Sequence, residues 1–473
     1  MSAVAESRYT GDRRYRAKRA ENGYYLRHQN GARIKTDKVI NFIWERAQGS
    51  TAAEIQAALE GRTHISSWLL GNILELMVAA ELLAVEPAPP VFPQPDPPTS
   101  GPKVSIVIVN KDGSEHLSTL LPSILRQDYP EIELVMVDNG SRDDSVELTR
   151  RFVPDAKIIE LKKNIGFSAG NNVGITEATG DYFFLLNNDT ELADDTVSRL
   201  AEAAVGREDI GAVVPKMFLW RLPRFLNGIG NTVRNRGWGG DNFLGHLDIG
   251  QFDDLKEVFS ACFGAVLIPR IAFELVGPLD PKYMFYYEDV DWSYRARLLG
   301  LKIVTAPQAA VFHKFSASMD KLEPTFKWRL VISNRWRFIT KTLSKGVWLN
   351  FARTYAKEDI RGLLRSVKHR DWSMARTYLS AWWRFFVGLP GILVARRSIQ
   401  AARTVADAEI VEHWAKLPPL IEAGNPIFDV ATIRRIYTHA LPVEPGGPDG
   451  TEHEPGAGRV AHPDEGLELS MDA

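Results

Sequence analysis

The sequence has little cysteine and no strong charge bias. Cys262 is the single cysteine among 473 residues, so no disulfide can form within the chain and the fold does not depend on an oxidising compartment. The formal net charge is -2 at pH 7, which gives the whole chain no preference for nucleic acid or for an anionic membrane. A disulfide-stabilised scaffold and a globally basic nucleic-acid-binding protein are therefore both disfavoured.

Long apolar runs are also missing. No stretch reaches about 18 uninterrupted apolar residues, which a spanning helix needs, so no transmembrane segment is predicted. Residues Met1 to Arg19 are charged and lack the apolar core of a signal peptide. Hydrophobic residues make up 45% and charged residues 25% of the chain, which at this length is typical of a globular protein with two or three folded units.

A proline-rich stretch divides the chain. Residues 87–102 read PAPPVFPQPDPPTSGP, a composition that favours a stiff, extended linker over a helix or a central strand. The linker separates a small unit, residues 1–86, from a larger part that starts at Lys103.

The small unit is predicted to combine a hairpin with three helices. Asn30-Gly31 predicts a turn between two short strands within Tyr24 to Thr36. Thr51 and Glu54 form a capping-box pattern at a helix start. The helices are predicted at Lys38 to Ala47, from Thr51, and at Ile65 to Leu83. This order favours a winged-helix-like domain and resembles the small PqqD-like peptide-binding domains, which implies a protein or peptide partner.

Basic residues dominate the first 38 positions, which has two interpretations. One is DNA binding. The other is a solvated tail in front of an interaction module. No base-reading helix with clustered Arg and Asn follows, so we predict no nucleic-acid partner and favour docking to a protein or a membrane surface.

Strands and helices alternate from Lys103 onward. Continuous apolar runs predict buried parallel strands at Val104 to Val109, Ile132 to Val137, Lys157 to Leu161 and Asp181 to Leu186. Helical patterns lie between them, at Ser114 to Asp128, from Asp144, and at Ser168 to Thr179. This alternation predicts an α/β fold with a doubly wound, mostly parallel sheet.

Polar side chains follow each of these strands at the point where the strand ends. They are Asn110, Asp138, Asn164 and the run Asn187-Asn188-Asp189. Ligands of open α/β sheets bind beyond the carboxyl ends of the strands. The sequence therefore predicts a ligand site at this edge of the sheet.

Six short motifs connect this pattern with a known family. The segments VSIVIVN, VDNGSRDDS, NIGFSAGNN, LLNNDT, YYEDVDW and VFHK occur in the order and spacing of family 2 glycosyltransferases of the GT-A fold. Over about residues 103 to 340 the chain resembles the branch that includes bacterial rhamnosyltransferases acting on cell-surface glycans. The resemblance implies an inverting transferase that uses a UDP- or dTDP-sugar donor and a glycan or lipid-linked acceptor.

The resemblance also implies a divalent metal cofactor, Mg or Mn. Asp189 matches the last acid of the family's Asp-x-Asp motif and His313 matches its late histidine, so both are candidate ligands. The chain departs from the family at Asn187, which lacks the charge of the motif's first acid. A second interpretation of His313 is a core histidine at the end of the apolar run Ala309 to Phe312.

An acidic cluster supplies the candidate general base. Asp289 matches the family's catalytic base, which would deprotonate the acceptor hydroxyl, and Glu288 would orient the acceptor or raise the pKa of Asp289. The alternative is that Glu288 to Asp291 only cap the following helix, Trp292 to Leu299, where acids favour the N-terminus. That alternative accounts well for Asp291.

The resemblance assigns the remaining polar strand ends to the nucleotide-sugar. Asp138 would accept a hydrogen bond from N3-H of uracil or thymine, although an Asx turn with Ser141 is the other interpretation. The candidate nucleotide-sugar-binding residues are Asn110, Asp138, Asn139, Asn164, Gly170, Asn171, Asn187 and Asn188.

The part after the motifs is helical, aromatic and basic. From the limits of the motifs we predict a GT-A domain at 103–325, a helical region at 326–440 and a disordered acidic tail at 441–473. Basic helices with tryptophan faces lie on anionic bilayers, so the helical region predicts a cytoplasmic enzyme peripheral to the inner face of the membrane. The alternative is a helical subdomain that packs on the core or dimerises.

The sequence is compatible with two other functions. A nucleotidyltransferase would carry a Gly-rich, Arg/Lys-containing signature near the first strand, and Asn110-Lys111-Asp112-Gly113 is a poor match. A non-catalytic sugar- or nucleotide-binding scaffold with a degenerate transferase domain is the second, and Asn187 is the residue that favours it.

Overall fold

The chain forms two compact units. The computed structural model describes residues 8–59 apart from 12, 21–22, 29–32 and 37; 70–86 apart from 72, 75–76 and 79–81; residue 98; and 100–410 apart from 234–238, 247, 249, 251 and 315–322. The first unit groups Met1–Ser67, Glu81–Ala88 and Pro442–Ala473, and the second groups Trp68–Ala80 and Pro89–Leu441. The predicted tail and most of the linker lie outside the described residues. A Gly- and Arg-rich insert spans residues 227–250, and its Arg234, Arg236 and Trp238 also lie outside them.

The first unit contains short antiparallel sheets. Its elements are β1 (Arg8–Gly11), β2 (Tyr15–Ala20), β3 (Gly23–His28), β4 (Arg33–Thr36), α1 (Lys38–Arg46), β5 (Gln48–Thr51), α2 (Ala52–Leu59) and β6 (Leu83–Glu86). One sheet has the order β5-β1-β6 and the other β2-β3-β4. The predicted hairpin corresponds to β3 and β4, while its turn at Asn30-Gly31 lies outside the described residues.

Two local predictions in this unit have clear outcomes. The capping box is present: the Thr51 amide donates to Glu54 Oε2 over 2.8 Å and the Glu54 amide donates to Thr51 Oγ1 over 3.2 Å. The predicted helix through Leu83 is wrong at its C-terminal end, because Leu83 begins β6 and pairs with Gly11 of β1. This long-range pairing overrides the helical spacing of the apolar residues.

The second unit begins with an α/β part. Its elements are β7 (Val104–Asn110), α3 (Ser114–Leu125), β8 (Ile132–Asp138), α4 (Ser145–Phe152), β9 (Lys157–Glu160), α5 (Phe167–Glu177), β10 (Tyr182–Asn187), β11 (Thr190–Leu192), α6 (Thr196–Ala204), β12 (Ile210–Leu219), β13 (Leu222–Gly228), β14 (Asn231–Val233), β15 (Gly239–Asp241), β16 (Ala265–Pro269), α7 (Arg270–Val276), α8 (Glu288–Leu298) and β17 (Lys302–His313). The four predicted strands and the three helices between them are all present.

A nine-stranded sheet organises this part. Its order is β11-β17-β12-β16-β10-β7-β8-β9, with β13 paired to β12. Strands β10, β7, β8 and β9 run parallel, and β16 is antiparallel to both of its neighbours, β10 and β12. From β7 the chain adds β8 and β9 on one side, and it then crosses to add β10 on the other side of β7. The carboxyl edge between β7 and β10 is therefore the switch point at which such sheets bind ligands.

Alternate residues of the central strands belong to two hydrophobic cores, one on each face of the sheet. Ile106 and Ile108 pack with α3 on one face, and Val107 packs on the other face with Ile175 of α5 and Trp292 of α8. Burial on both faces explains why β7 reads as a continuous apolar run. The prediction of a doubly wound α/β sheet is confirmed.

Three long helices follow the sheet. They are α9 (Pro324–Thr342), α10 (Lys345–Lys368) and α11 (Trp372–Ala402). Phe338 and Ile339 of α9 share a core cluster with Tyr294 of α8. Among the described residues, one helix, Trp372–Ala402, is long and apolar enough to cross a membrane by length and composition. Arg384 and Pro390 lie inside this helix and do not end it.

Candidate active site

Three of the predicted nucleotide-binding residues meet at the carboxyl edge of the sheet. Asn110 lies opposite Asp138 in the β7–β8 register. Asn188 Nδ2 donates to Asn110 Oδ1 over 2.7 Å, and Asn110 Nδ2 donates to Ser141 Oγ over 3.2 Å. The side chains of Asn110 and Asn188 therefore fix each other's orientation across two strand ends.

Asp138 keeps one carboxylate oxygen available. Its Oδ2 accepts from the Ser141 amide over 2.9 Å, which is the Asx turn considered from the sequence. Its Oδ1 is buried and has no hydrogen-bond partner among the described residues. A buried acceptor without a partner is costly, so Oδ1 suits a ligand donor such as the N3-H of a pyrimidine.

The loop between β9 and α5 is shaped by asparagines. Asn139 Oδ1 accepts from the Ile165 amide over 3.0 Å, and Asn164 Oδ1 accepts from the Gly166 amide over 2.8 Å. Gly166 has φ of 90°, and a Cβ there would lie 2.9 Å from Met284 Cγ. This loop therefore lies directly against the segment that precedes Glu288.

Helix α5 approaches the sheet closely through Gly170. A Cβ at Gly170 would lie 2.8 Å from Val109 Cγ1, so the glycine permits the close packing of α5 on β7. Asn171 is buried and its Nδ2 donates to the Phe167 carbonyl over 3.1 Å. The structure gives these two residues a part in shaping the cleft, and their direct contact with a nucleotide-sugar stays a prediction.

The two candidate metal ligands are adjacent. The β11–β17 register pairs Thr190 with His313, which brings Nε2 of His313 to 3.3 Å from Oδ1 of Asp189. Burial raises the pKa of Asp189, but the neighbouring His313 lowers it more, so the pKa lies below its usual value. Burial lowers the pKa of His313, and Asp189 reverses this to a net increase.

A third residue fixes the histidine ring. The Nδ1 atom of His313 lies 2.8 Å from Asn227 Oδ1, and Asn227 Nδ2 lies 3.4 Å from Asp241 Oδ2. An amide that donates to Asp241 offers its oxygen to His313, so Nδ1 carries a proton. Asp189 also favours a proton on Nε2, between the two side chains, and a divalent cation would replace that proton.

These atoms fit a divalent metal. Carboxylate oxygen and imidazole nitrogen suit Mn, and the carboxylate suits Mg. No group of three or more His, Cys, Asp or Glu side chains that would hold a metal occurs within the residues that the structure describes. Asp189 and His313 would thus supply two ligands, and the other positions would be left for substrate phosphate and water, as is usual for Mg.

Both candidate acids lie in the first turn of α8. Asp289 Oδ2 accepts from Asn231 Nδ2 over 2.5 Å, and Oδ1 accepts from the Val290 amide over 2.7 Å. Burial raises the pKa of Asp289 to about 7, the Val290 amide opposes the rise, and the negative charge of Asp241 adds to it. Burial and the adjacent Asp289 raise the pKa of Glu288 well above its usual value.

The environment acts on both acids in the same direction. Burial and the charge of Asp289 favour the neutral form of Glu288, whose Oε2 is buried without a hydrogen-bond partner among the described residues. Asp289 is close to half ionised, which is the condition in which a general base works best.

Asp291 belongs to the scaffold. Its carboxylate accepts from the Tyr283 hydroxyl over 2.9 Å and pairs with Arg295 at 3.0 Å and Lys341 at 2.7 Å. Two residues along a helix turn the side chain by about 200°, so Asp291 faces away from Asp289. Asp291 thus has a structural role through these contacts and not as a cap, since the helix begins at Glu288 and its N-cap is Tyr287.

Three site residues have no motif in the sequence. Asn227, Asn231 and Asp241 lie in the Gly- and Arg-rich insert, residues 227–250, which contains none of the six motifs. Asn231 and Asp241 are partners in the β14–β15 pair. Burial raises the pKa of Asp241 to about 6, with His313 opposing the rise. An isolated asparagine or aspartate in a glycine-rich segment carries no signal of its own.

Cys262 lies among the site residues as an inert thiol. Burial, with help from Asp241 and Asp289, raises the pKa of Cys262 well above its usual value. The thiol stays protonated at neutral pH, so Cys262 acts as a packed small residue and not as a nucleophile.

Comparison with known proteins assigns part of the chain to a sequence family. Residues 105–239 match the family model described as glycosyl transferase family 2. The chain is 29% identical over 249 residues to the O-antigen biosynthesis protein RfbC of Myxococcus xanthus, a match that covers 49% of this chain and 19% of that protein. It is 24% identical over 253 residues to the low-salt glycan biosynthesis hexosyltransferase Agl10 of Haloferax volcanii, which covers 52% of this chain and 78% of the relative.

The chain thus carries a family 2 glycosyltransferase domain, as its motifs predicted, and the predicted GT-A fold is confirmed. The chain matches less than a fifth of the length of RfbC. Among solved structures, mannosyltransferase PcManGT from Pyrobaculum calidifontis in complex with GDP-Man and Mn2+ superposes with a TM-score of 0.38 at 17% identity, covering 74% of this chain and 89% of that one.

Proposed function

We propose that this protein is an inverting glycosyltransferase that moves a sugar from a UDP- or dTDP-sugar to a hydroxyl of a glycan or lipid-linked acceptor. The observation that carries the proposal is Asp289. It is a buried carboxylate with a pKa of about 7, held by Asn231 in the family 2 domain's acidic motif. Such a group is suited to accept a proton at neutral pH.

The reaction is a single displacement. Asp289 takes the proton of the acceptor hydroxyl, and the hydroxyl oxygen forms a bond to the anomeric carbon. The bond from that carbon to the diphosphate oxygen breaks at the same time, and the nucleoside diphosphate leaves with the electron pair. No covalent intermediate with the protein is needed, which is consistent with the protonated thiol of Cys262.

The donor would lie across the carboxyl edge of β7, β8 and β10. Asp138 Oδ1 would accept from the pyrimidine N3-H, and Asn110 with Asn188 would line the cleft beside it. Asp189 and His313 would hold a Mg or Mn ion, which neutralises the growing charge of the diphosphate. Glu288, whose neutral form is favoured by burial and by the charge of Asp289, would donate a hydrogen bond to the acceptor or the donor sugar.

Replacement of the base tests the proposal. Purified wild type, Asp289→Asn and Asp144→Asn would be given UDP- and dTDP-sugars with Mn or Mg, and release of nucleoside diphosphate would be measured. Asp144 is exposed, so its variant controls for the loss of one acid. We expect Asp289→Asn to lose at least 100-fold in rate and Asp144→Asn to match wild type. If wild type bound UDP but released none from any donor, the non-catalytic scaffold would be the better interpretation.

We place the enzyme on the inner face of the cell membrane. Leu379, Trp383, Phe386, Val387 and Val394 are between 53% and 72% exposed and share one face of α11, which we name the apolar stripe. Residues 345–403 carry 12 Lys or Arg and 3 Asp or Glu. An apolar face with basic surroundings suits an anionic lipid surface, each basic residue adding about 1 kcal/mol near it.

Vesicle binding tests this location. We expect the full chain to float with vesicles containing phosphatidylglycerol and to be released by salt or alkaline carbonate. Trp383→Glu would abolish flotation, while Ile271→Glu, a change at an exposed apolar residue of α7, would leave it intact. Resistance to carbonate would contradict surface docking and favour a spanning α11. Equal binding of Trp383→Glu would contradict any role of the apolar stripe.

The first unit is proposed to bind a protein or peptide partner, as its resemblance to PqqD-like domains implies. Pull-down of a single partner by residues 1–86 fused to a tag, and loss of that partner when the unit is removed from the full chain, would support this role.

A further inference from the structure

We propose that Asn334 is a positioning residue that holds the loop in front of Glu288 and Asp289 in its active conformation, an inference that rests on the function proposed above. Asn334 lies on α9, beyond the residues that match the family model. Nothing in the motif pattern assigns it a role.

The amide of Asn334 contacts three backbone carbonyls of this loop. Its Nδ2 lies 3.0 Å from the carbonyl oxygen of Tyr283, 2.8 Å from that of Phe285 and 2.9 Å from that of Tyr286. The side chain is 1% exposed, so water cannot replace it. The two N-H groups of this amide are thus shared among three carbonyl oxygens. One side chain therefore provides hydrogen bonds for most of the backbone carbonyls of the loop.

The loop needs such support because its backbone is unusual. Met284, Tyr286 and Tyr287 have φ of 65°, 66° and 72°, and none of them is glycine. Residues other than glycine rarely adopt this left-handed backbone conformation, and it persists only where surrounding contacts stabilise it. Tyr287 is also the N-cap of α8, so the direction in which Glu288 and Asp289 leave the loop depends on this conformation.

The loop is held from the opposite side as well. The Phe167 amide, at the start of α5, donates to the Met284 carbonyl over 3.0 Å. Three carbonyls thus bind Asn334, and the fourth binds the helix next to the nucleotide loop. The contact with α5 links the base to the donor side of the cleft, and the contact with Asn334 links it to α9.

Charged residues of α9 fix the two ends of the same segment. Arg337 and Lys341 each lie 2.8 Å from Asp280 Oδ2, and Lys341 lies 2.7 Å from Asp291 Oδ1. One face of α9 therefore binds the segment before, within and after the loop. Asn334 is the residue of this face whose side chain binds backbone carbonyls of the loop, including that of Tyr286, which has a positive φ.

Two variants of Asn334 and one control test the proposal. Asn334→Leu keeps the branched shape of the side chain and removes the donor, and Asn334→Ala is the second variant if the first fails to fold. Ser333→Ala is the control, because Ser333 is adjacent and 3% exposed, and its hydroxyl donates to the Leu330 carbonyl within α9. Each protein would be assayed for kcat and KM of nucleoside diphosphate release, for the Kd of UDP or dTDP, and for amide exchange of residues 283–290.

We expect kcat to fall at least tenfold in an Asn334 variant, with a nucleotide Kd within twofold of wild type and faster exchange confined to residues 283–290. Ser333→Ala should lose thermal stability without either change. A merely structural Asn334 would lower stability and leave kcat per folded molecule within twofold of the control, and that result would overturn the proposal. Unchanged exchange of the loop would overturn it as well. Failure of the proposed function is separate, since it would appear as an undiminished rate of Asp289→Asn.

Discussion

Removal of the Asn231 amide should shift the pH at which the enzyme becomes active. Asn231 Nδ2 donates to Asp289 Oδ2 over 2.5 Å, and this bond favours the ionised carboxylate. A hydrogen bond to a charged group contributes about 1.5–3 kcal/mol, which corresponds to about 1–2 pKa units. In Asn231→Ala the pKa of Asp289 should therefore rise by this amount from its value of about 7.

The rate follows from the ionised fraction. With a pKa of about 7, close to half of the Asp289 side chains are ionised at pH 7. After the shift, about 1–10% would be ionised at pH 7, so the rate should fall about 5- to 50-fold and recover as the pH rises. Glu288 and Asp241 face the same carboxylate, so the measured midpoint belongs to the coupled group.

The assay is the pH profile of kcat/KM for nucleoside diphosphate release, measured from pH 5.5 to 9.5. Asn242→Ala is the matched control, because Asn242 lies in the same insert, is buried, and donates to the Ile229 carbonyl instead. An unchanged midpoint in Asn231→Ala, or a midpoint at lower pH, would refute the reasoning. A shift of the same size in Asn242→Ala would show that the insert acts as a whole.

Three further changes have defined outcomes. Asn227→Ala removes the acceptor that orients His313 and should weaken Mn binding about 10- to 100-fold. Calorimetry with UDP present measures this binding, and an affinity equal to that of wild type would contradict the metal assignment. Asp138→Asn should weaken UDP binding about tenfold or more while CDP binding changes little, since only uracil has N3-H; an equal loss for both nucleotides would contradict base recognition. Asp280→Asn should lower the free energy of unfolding by about 2 kcal/mol at pH 7, which urea titration would check. Burial raises the pKa of Asp280, yet Lys341 and Arg337 bring it from 3.8 to about 2, so the stabilisation is present above pH 4 and lost as the pH falls towards 2.

The sequence by itself determined the parallel half of the sheet and the polar ends of its strands. Strand β7 is buried on both faces and therefore reads as an unbroken apolar run, and Asn110, Asp138 and Asn187 follow the strands where the chain turns. These are local properties: period, length and termination are written within about ten residues. The motif residues Asp289 and His313 could be proposed for the same reason, since each lies in a short recognisable segment.

Only the tertiary structure decided which residues surround them. Asn231 and Asp289 are 58 positions apart, and Asn227 and His313 are 86 apart, so no local pattern joins them. These contacts depend on the order of the strands, because β17 runs beside β12, which also pairs with β13. They depend as well on the insert, whose Asn231 contacts Asp289 at the start of α8. The helix pattern of α9 gave no sign that Asn334 contacts the loop before Glu288, because a buried amide and a core residue occupy the same positions of the helical period. Such contacts are set by packing between distant elements, which periodicity along the chain does not record.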